Sequence, residues 1–236
     1  MLTPLATRLA QDELMDDADL DAGEYARVLR DLARANRLTL AGRPTLAFLD
    51  AVIAQHPART EPLRILDVGF GDGDMLRRIA KWARRRGVTV DLVGIDLNAK
   101  SAAVAKAATP GDMPIVYHTG DYRNLANEHW DIILSSLVTH HMSDGERTEF
   151  LTFMAKHATL GWMVNDLHRH RLALIGFALL SHICMWHPIV RHDGQVSVAR
   201  SFRPADWHAM LAQTGLTRVA KVDRYFPFRL CVIAHR

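Results

Sequence analysis

A run of glycine and aspartate residues between Asp67 and Gly73 has the composition of a ligand-binding turn. Glycines occupy positions 69, 71 and 73, directly after an apolar segment that is typical of a buried strand. A turn of this kind between a strand and a helix brings backbone N–H groups and the positive helix end close to a ligand, and a Cβ would block the approach. The pattern predicts a phosphate or nucleoside site.

The glycine spacing disfavours a dinucleotide. The Gly-x-Gly-x-x-Gly fingerprint needs a third glycine five positions after the first. Counted from Gly69 that position is Asp74, and counted from Gly71 it is Leu76. A nicotinamide oxidoreductase is therefore a poor alternative.

Two further carboxylates follow the next predicted strands. Asp96 stands 23 positions after Gly73, where a carboxylate can accept both hydroxyls of a ribose, and Leu97 beside it can pack on the base. Asp121, followed by Tyr122, comes after the third strand. Each acid alone could be an ordinary loop residue, but in this order and spacing they favour a nucleoside site.

Histidines cluster after two later strands. His140 and His141 follow the fourth, and His168 and His170 follow the fifth. Because histidine has a pKa near 6.5, it can act as a general base toward a phenolic hydroxyl, whose pKa is about 10. The alternative is that most of them are structural or line a pocket. No third and fourth ligand is evident in the sequence, and no metal is predicted.

Short apolar runs alternate with amphipathic segments from about residue 64 to 166. This alternation predicts a doubly wound, Rossmann-like α/β fold with a mostly parallel seven-stranded sheet. The last two strands, Thr217–Arg224 and Arg229–Ala234, are expected to close the sheet as a hairpin. The earlier predicted strands are Leu63–Val68, Val88–Ile95, Pro114–His118, Trp130–Leu134 and Trp162–Asn165, and the predicted helices between and after them are Met75–Arg86, Ala99–Ala108, Asp144–His157 and Pro204–Gln213.

Two regions lie outside this alternation. Residues 1–60 read as an N-terminal helical segment, and residues 61–236 form the main domain with an insertion at about 167–203. We expect both regions to cover the open edge of the sheet as a lid. The stretch Leu172–Val190 lacks acidic and basic side chains, apart from histidine, and favours a half-buried helix followed by a turn, with an interfacial membrane helix as the alternative. An irregular stretch is expected from there to Arg203.

Composition places few further limits on function. The chain has 236 residues, a formal net charge of +3 and two distant cysteines, which indicate reduced thiols in a cytoplasmic protein without a secretory leader. Much of the positive charge lies between Arg77 and Arg86, where a solvated helix face is favoured over a nucleic-acid footprint. The sequence does not predict the oligomeric state.

The pattern Asp67-x-Gly69-x-Gly71-x-Gly73 resembles the first motif of class I S-adenosylmethionine-dependent methyltransferases. The resemblance covers about residues 64 to 166 and implies S-adenosyl-L-methionine as cofactor. The paired histidines resemble the ubiquinone- and menaquinone-type and polyketide-associated branches, which act on small molecules. The implied cofactor-binding residues are Asp67, Gly69, Phe70, Gly71, Gly73, Asp96, Leu97, Asp121, Tyr122 and Ser135, and the implied catalytic residues are His140, His141 and His168.

The resemblance implies O-methylation of a small aromatic or polyketide-like acceptor. Methylation of a carbon on a quinone-like ring is the close alternative, because the same base and cofactor geometry serve both reactions. An RNA methyltransferase is disfavoured because the Asn-Pro-Pro-Tyr type of motif is absent after the fourth strand. A regulatory module that binds the cofactor without turnover remains a further alternative.

Overall fold

Seven strands form one sheet in the order β3-β2-β1-β4-β5-β7-β6 in the computed structural model, which describes residues 5–236. Strands β1 to β5 pair in parallel, whereas β7 is antiparallel to both β5 and β6. The predicted mostly parallel sheet with a C-terminal hairpin is therefore confirmed. The strands are β1 (Leu63–Val68), β2 (Val90–Asp96), β3 (Ile115–Thr119), β4 (Trp130–Ser136), β5 (Ala158–Leu167), β6 (Lys221–Tyr225) and β7 (Arg229–His235).

Helices cover both faces of the sheet. One face packs against α2, α3 and α4, and the other against α5 and α8. Because both faces are covered, a central strand such as β1 is almost continuously apolar, and neighbours such as Ile65 and Leu66 are buried on opposite sides. The helices are α1 (Ala22–Leu38), α2 (Arg43–Gln55), α3 (Asp74–Arg86), α4 (Ala99–Ala108), α5 (Asp144–His157), α6 (Arg171–Ile183), α7 (Pro188–Arg200) and α8 (Pro204–Gln213).

The region between β5 and α8 differs in part from the sequence expectation. The predicted half-buried helix is α6, but the stretch that follows is the regular helix α7 and not an irregular segment. Pro188 begins α7, and the His187 side chain caps it by accepting a hydrogen bond from the Ile189 N–H. The helix has no simple apolar stripe because it is buried on several sides, and this obscured it in the sequence.

Helix α7 ties the N-terminal region to the insertion. Val28 and Ala35 of α1 form an apolar cluster with Trp186 and Val190. Leu5 joins a second cluster between α6 and α7. The N-terminal region and the insertion therefore form one continuous cover. Within residues 5–236, no helix combines the length and the apolar character that crossing a bilayer requires.

Candidate active site

The glycine turn begins where β1 ends and α3 begins. Gly69 and Gly73 have φ angles of 78° and 75°, in the left-handed region that glycine adopts without strain. A Cβ at Gly69 would collide with the Val138 side chain, and one at Gly73 would collide with the Tyr117 hydroxyl. The turn therefore depends on glycine both for its backbone path and for its close contacts with β3 and with the loop after β4.

Asp96 is held beside this turn. One carboxylate oxygen accepts a hydrogen bond from the Gly71 N–H, and the other accepts one from the Asn98 N–H, both at 2.9 Å. Burial raises the pKa of Asp96, against the lowering effect of these N–H groups. The carboxylate thus has a fixed orientation at the carboxyl end of β2, as the sequence predicts for a ribose-binding acid.

Asp67 is the most deeply buried acid of the turn. Its Oδ1 atom has no hydrogen-bond partner within residues 5–236, and burial together with the neighbouring charge of Asp96 raises its pKa to about 7. It borders a recess of about 80 Å³ whose lining includes Gly69 and Phe70, both of which also line the main cavity described below. An unpartnered buried oxygen at this point fits a cationic ligand group.

The other predicted cofactor residues divide into two groups. Leu97, Asp121 and Tyr122 border the main cavity, with Leu97 78% exposed and Asp121 engaged by Arg123. Ser135 does not. Its hydroxyl donates to the Val68 carbonyl at 3.0 Å, and the side chain is buried in the sheet.

The predicted cofactor contact of the Ser135 side chain is therefore not supported by the geometry. Successive side chains of a strand point to opposite faces, and it is the next residue, Ser136, that borders the cavity.

One large cavity joins the glycine turn to the paired histidines. Its volume is about 670 Å³, which is within the range of small-molecule sites. Both the N-terminal region and the insertion contribute to its walls. Lining residues from the turn and the sheet edge include Gly69, Phe70, Gly71, Asp96 and Leu137; those from the cover include Glu13, Tyr25, Leu29, Phe177, Leu180 and Val198.

His140 lies buried at one wall of this cavity. Its Nδ1 atom is 2.7 Å from Asp166 Oδ1, and its backbone N–H donates to the other oxygen of Asp166. Burial opposes a charge on the ring, but Asp166 and Glu13 outweigh it and raise the pKa of His140 to about 9. The positive charge of the His140 ring, together with hydrogen bonds from the Thr139 hydroxyl and the Leu167 N–H, lowers the pKa of Asp166 to about 2 despite its burial. The Asp166 carboxylate therefore fixes the orientation of the His140 ring.

Glu13 is the carboxylate that the sequence analysis missed. Its Oε1 atom lies 3.4 Å from His140 Nε2 and 3.6 Å from His141 Nε2. Burial favours the neutral form of Glu13, but the two histidines and a hydrogen bond from the Ser197 hydroxyl lower its pKa. We call Glu13, His140 and His141 the histidine cluster.

Helix α7 holds Glu13 in this position. The buried Asp193 carboxylate accepts hydrogen bonds from the N–H groups of Leu14 and Met15, both at 2.9 Å. Ser197, one turn further on, donates its hydroxyl to Glu13 Oε1 at 2.7 Å. No sequence pattern signalled this contact, because an isolated glutamate in an N-terminal segment has no characteristic spacing from a histidine pair far along the chain.

His141 is the more accessible member of the cluster, with 28% of its side chain exposed. Its Nδ1 atom lies 3.0 Å from Asp16 Oδ2, and its ring lies against that of His140 with centroids 4.3 Å apart. In both histidines, therefore, Nδ1 lies within hydrogen-bond distance of an aspartate carboxylate, and Nε2 is directed toward Glu13.

His168 lies outside this group. It pairs with Phe202 in an isolated β-bridge, donates its N–H to the Phe228 carbonyl, and is absent from the lining of the cavity. Burial lowers its pKa, and the nearby His170 and Arg224 contribute in the same direction. Leu167 borders the cavity but His168 does not, so the geometry gives no support for a catalytic role of His168.

Comparison with known proteins identifies the part of the chain that carries the turn. Residues 65–161 match the family model described as "Methyltransferase domain". This segment is similar to methyltransferase domains. The match confirms the class I methyltransferase interpretation of the Asp67–Gly73 pattern. A search of curated protein sequences gave no significant match.

Solved structures of methyltransferases are similar to this chain in fold. The plantazolicin methyltransferase BpumL, in complex with S-adenosylhomocysteine, is 16% identical with a TM-score of 0.64, over 93% of this chain and 92% of that one. Human N-acetylserotonin methyltransferase in complex with S-adenosylmethionine is 14% identical with a TM-score of 0.61, over 92% of this chain and 56% of that one. Magnesium protoporphyrin IX methyltransferase from Synechocystis PCC 6803, with S-adenosylhomocysteine bound, is 17% identical with a TM-score of 0.53, over 93% and 90%.

Proposed function

We propose that this protein transfers a methyl group from S-adenosylmethionine to a hydroxyl oxygen of a small aromatic or polyketide-like molecule. The observation that carries the proposal is that one cavity has both the glycine turn and the histidine cluster in its walls. A methyl transfer needs donor and acceptor in line and shielded from water, and one shared cavity meets that need.

The residues of the turn fit the proposed cofactor. Asp67 offers a buried, unpartnered oxygen for the methionine ammonium group, and Asp96 offers an oriented carboxylate for the ribose. Left-handed glycines leave the backbone of the turn open to close approach. S-adenosylmethionine, when bound, supplies the methyl group on its sulfonium centre.

The acceptor side of the cavity is mainly apolar. Helix α6 and the end of the β6–β7 hairpin supply much of this surface, which suits a flat, ring-bearing acceptor. Apolar lining residues on this side include Leu172, Ala173, Phe177, Leu180, Phe226 and Phe228. We infer that residues 5–20, α6 and α7 form the lid that encloses the acceptor.

The histidine cluster places polar groups on the otherwise apolar acceptor side of the cavity. A hydroxyl that attacks a sulfonium must lose its proton, and His141, partly exposed and oriented by Asp16, is placed to withdraw it. His140, buried between Asp166 and Glu13, positions the cluster. This role for the cluster favours an oxygen acceptor over a carbon acceptor, which product analysis must decide.

The basic helix offers little support for RNA methylation. Along α3, Arg77 pairs with Asp72, Arg84 with Asp112 and Arg86 with Asp50, at 2.9 to 3.0 Å. Charges neutralised within the chain contribute less to phosphate binding than free ones. These pairs support a solvated helix face along α3.

Isotopic methyl transfer tests the proposed function. The full chain is incubated with labelled S-adenosylmethionine and a panel of phenols, quinols and hydroxypyrones, and the products are located by mass spectrometry. Label on an oxygen supports the proposal. Label on a ring carbon would replace it with the alternative reaction. Tight cofactor binding without transfer to any acceptor would favour a regulatory module, and tighter binding of NAD than of S-adenosylhomocysteine would overturn the cofactor assignment.

A further inference from the structure

The histidine cluster has the geometry of a metal site. One ligand atom from each of Glu13, His140 and His141 lies within 4.8 Å of the others. Two imidazoles and one carboxylate are a common donor set for zinc and other divalent transition ions in sites that keep a position open for a further ligand.

Two of the three separations between the ligand atoms fit tetrahedral coordination. Zinc–ligand bonds of 2.0–2.1 Å at tetrahedral angles separate neighbouring ligand atoms by about 3.3 to 3.4 Å. Glu13 Oε1 lies 3.4 Å from His140 Nε2 and 3.6 Å from His141 Nε2. These separations are long for hydrogen bonds but close to the edges of such a tetrahedron.

A second observation is the state of His140 Nε2. This atom is buried, directed toward Glu13, and without a hydrogen-bond partner among the described residues. A buried polar atom with no partner is costly, and a cation between the imidazole and the carboxylate would satisfy both groups.

The surroundings of each ligand also resemble those of metal sites. Ligating histidines usually donate their second nitrogen to a carboxylate, and ligating carboxylates accept further hydrogen bonds. Here His140 Nδ1 lies on Asp166, His141 Nδ1 lies on Asp16, and Glu13 Oε1 accepts from Ser197. All three ligands are therefore oriented by other side chains.

We propose that Glu13, His140 and His141 bind one divalent transition ion of the zinc type, with a fourth position open to an oxygen of the methyl acceptor. Magnesium is disfavoured because it prefers oxygen ligands. This inference rests on the proposed function and changes one role within it: with the ion bound, His141 is a ligand, and the cation activates the acceptor hydroxyl in its place by polarising it, so that the proton is lost to solvent as the acceptor binds and before the cavity closes over it. The acceptor then belongs to the class of molecules with an ionisable hydroxyl.

Metal titration of the stripped full chain tests the site directly. The protein is treated with chelator and titrated with Zn²⁺ by calorimetry, and with Co²⁺ by visible absorption, whose intensity reports tetrahedral coordination. We expect one equivalent of Zn²⁺, an intense Co²⁺ spectrum, and no comparable binding of Mg²⁺. Binding below one tenth of an equivalent overturns the proposal.

Matched variants locate the site. Glu13→Gln and His141→Gln are expected to weaken Zn²⁺ binding by at least about tenfold. Glu24→Gln is the control, because Glu24 also pairs with a histidine, His187 at 3.5 Å, but lies outside the cavity. Equal Zn²⁺ affinity in Glu13→Gln and Glu24→Gln overturns the assignment. Far-ultraviolet circular dichroism checks folding, and His141, being partly exposed, provides the variant less prone to unfolding.

Cofactor binding on the same preparations separates this inference from the proposed function. If S-adenosylhomocysteine binds and methyl transfer proceeds in the metal-free protein at an undiminished rate, the role proposed for the ion in the transfer fails and the methyltransferase proposal stands. If S-adenosylhomocysteine does not bind, the proposed function fails, whatever the metal titration shows.

Discussion

Glu13 Oε1 and His140 Nε2 lie 3.4 Å apart, although the two residues are separated by 127 positions in the chain. The contact joins the N-terminal cover to the loop after β4, in the wall of the cavity that also contains the glycine turn. Glu13 is thus a third carboxylate partner of the histidine pair, beside Asp166 and Asp16.

Asp96→Asn is expected to weaken S-adenosylhomocysteine binding by about tenfold or more, since a neutral amide replaces a charged acceptor of two hydroxyls. Asparagine keeps one oxygen for the Gly71 or Asn98 N–H, so the fold should persist. Calorimetry measures the affinity. Asp91→Asn is the matched control, an exposed acid on the same strand. Unchanged affinity in Asp96→Asn would remove this residue from the ribose site.

Cofactor affinity should rise with pH through about 7. Asp67, with its pKa raised to about 7, is neutral below that pH and attracts the cofactor ammonium only above it. If only the ionised form binds, the affinity for S-adenosylhomocysteine increases about tenfold between pH 6 and pH 8. Asp67→Asn should remove this pH dependence of the affinity. If the affinity of the variant still rises with pH as in wild type, another group is responsible.

The same group predicts the sign of a stability change. The folded pKa of Asp67 lies above the unfolded value, so the folded state binds more protons between the two. Its contribution to the free energy of unfolding is therefore present at low pH and is lost as the pH rises toward 7. Urea denaturation of wild type and of Asp67→Asn at pH 5 and pH 8 measures this contribution. Relative to the variant, the free energy of unfolding of wild type should be lower at pH 8 than at pH 5, and the opposite order would contradict the prediction.

Asp193→Ala is expected to lower the free energy of unfolding by about 2 to 4 kcal/mol. The variant leaves the Leu14 and Met15 N–H groups without their acceptor and opens a gap in α7. Urea denaturation measures the change, with Asp12→Ala as control because the Asp12 side chain is 93% exposed. Similar stability of the two variants would show that Asp193 does not anchor the N-terminal segment.

His141→Asn should reduce methyl transfer by about a hundredfold or more, the usual range for loss of a proton-withdrawing or acceptor-positioning group. His168→Asn should leave turnover within about twofold, because His168 lies away from the cavity. Initial rates at saturating cofactor compare them. A larger loss in His168→Asn would restore the original sequence-based assignment.

Local sequence patterns predict most of the fold, because strands and helices have characteristic spacings of apolar residues. The alternation of apolar strands and amphipathic helices predicted β1 and α5 with their observed bounds. They failed at α7, where burial on several sides removes the stripe that marks a helix. They also could not separate Ser135 from Ser136, because which of two adjacent serines faces a cavity depends on the register of the strand.

By itself the sequence determined the glycine turn, with its left-handed positions, and the acid after β2, because backbone conformation and strand order follow from neighbouring residues. Only the tertiary structure decided that Glu13 lies against His140 and His141 and that His168 does not. Contacts between distant segments depend on how α7 packs against the N-terminal cover, through Asp193 and Ser197, and no local spacing encodes that packing.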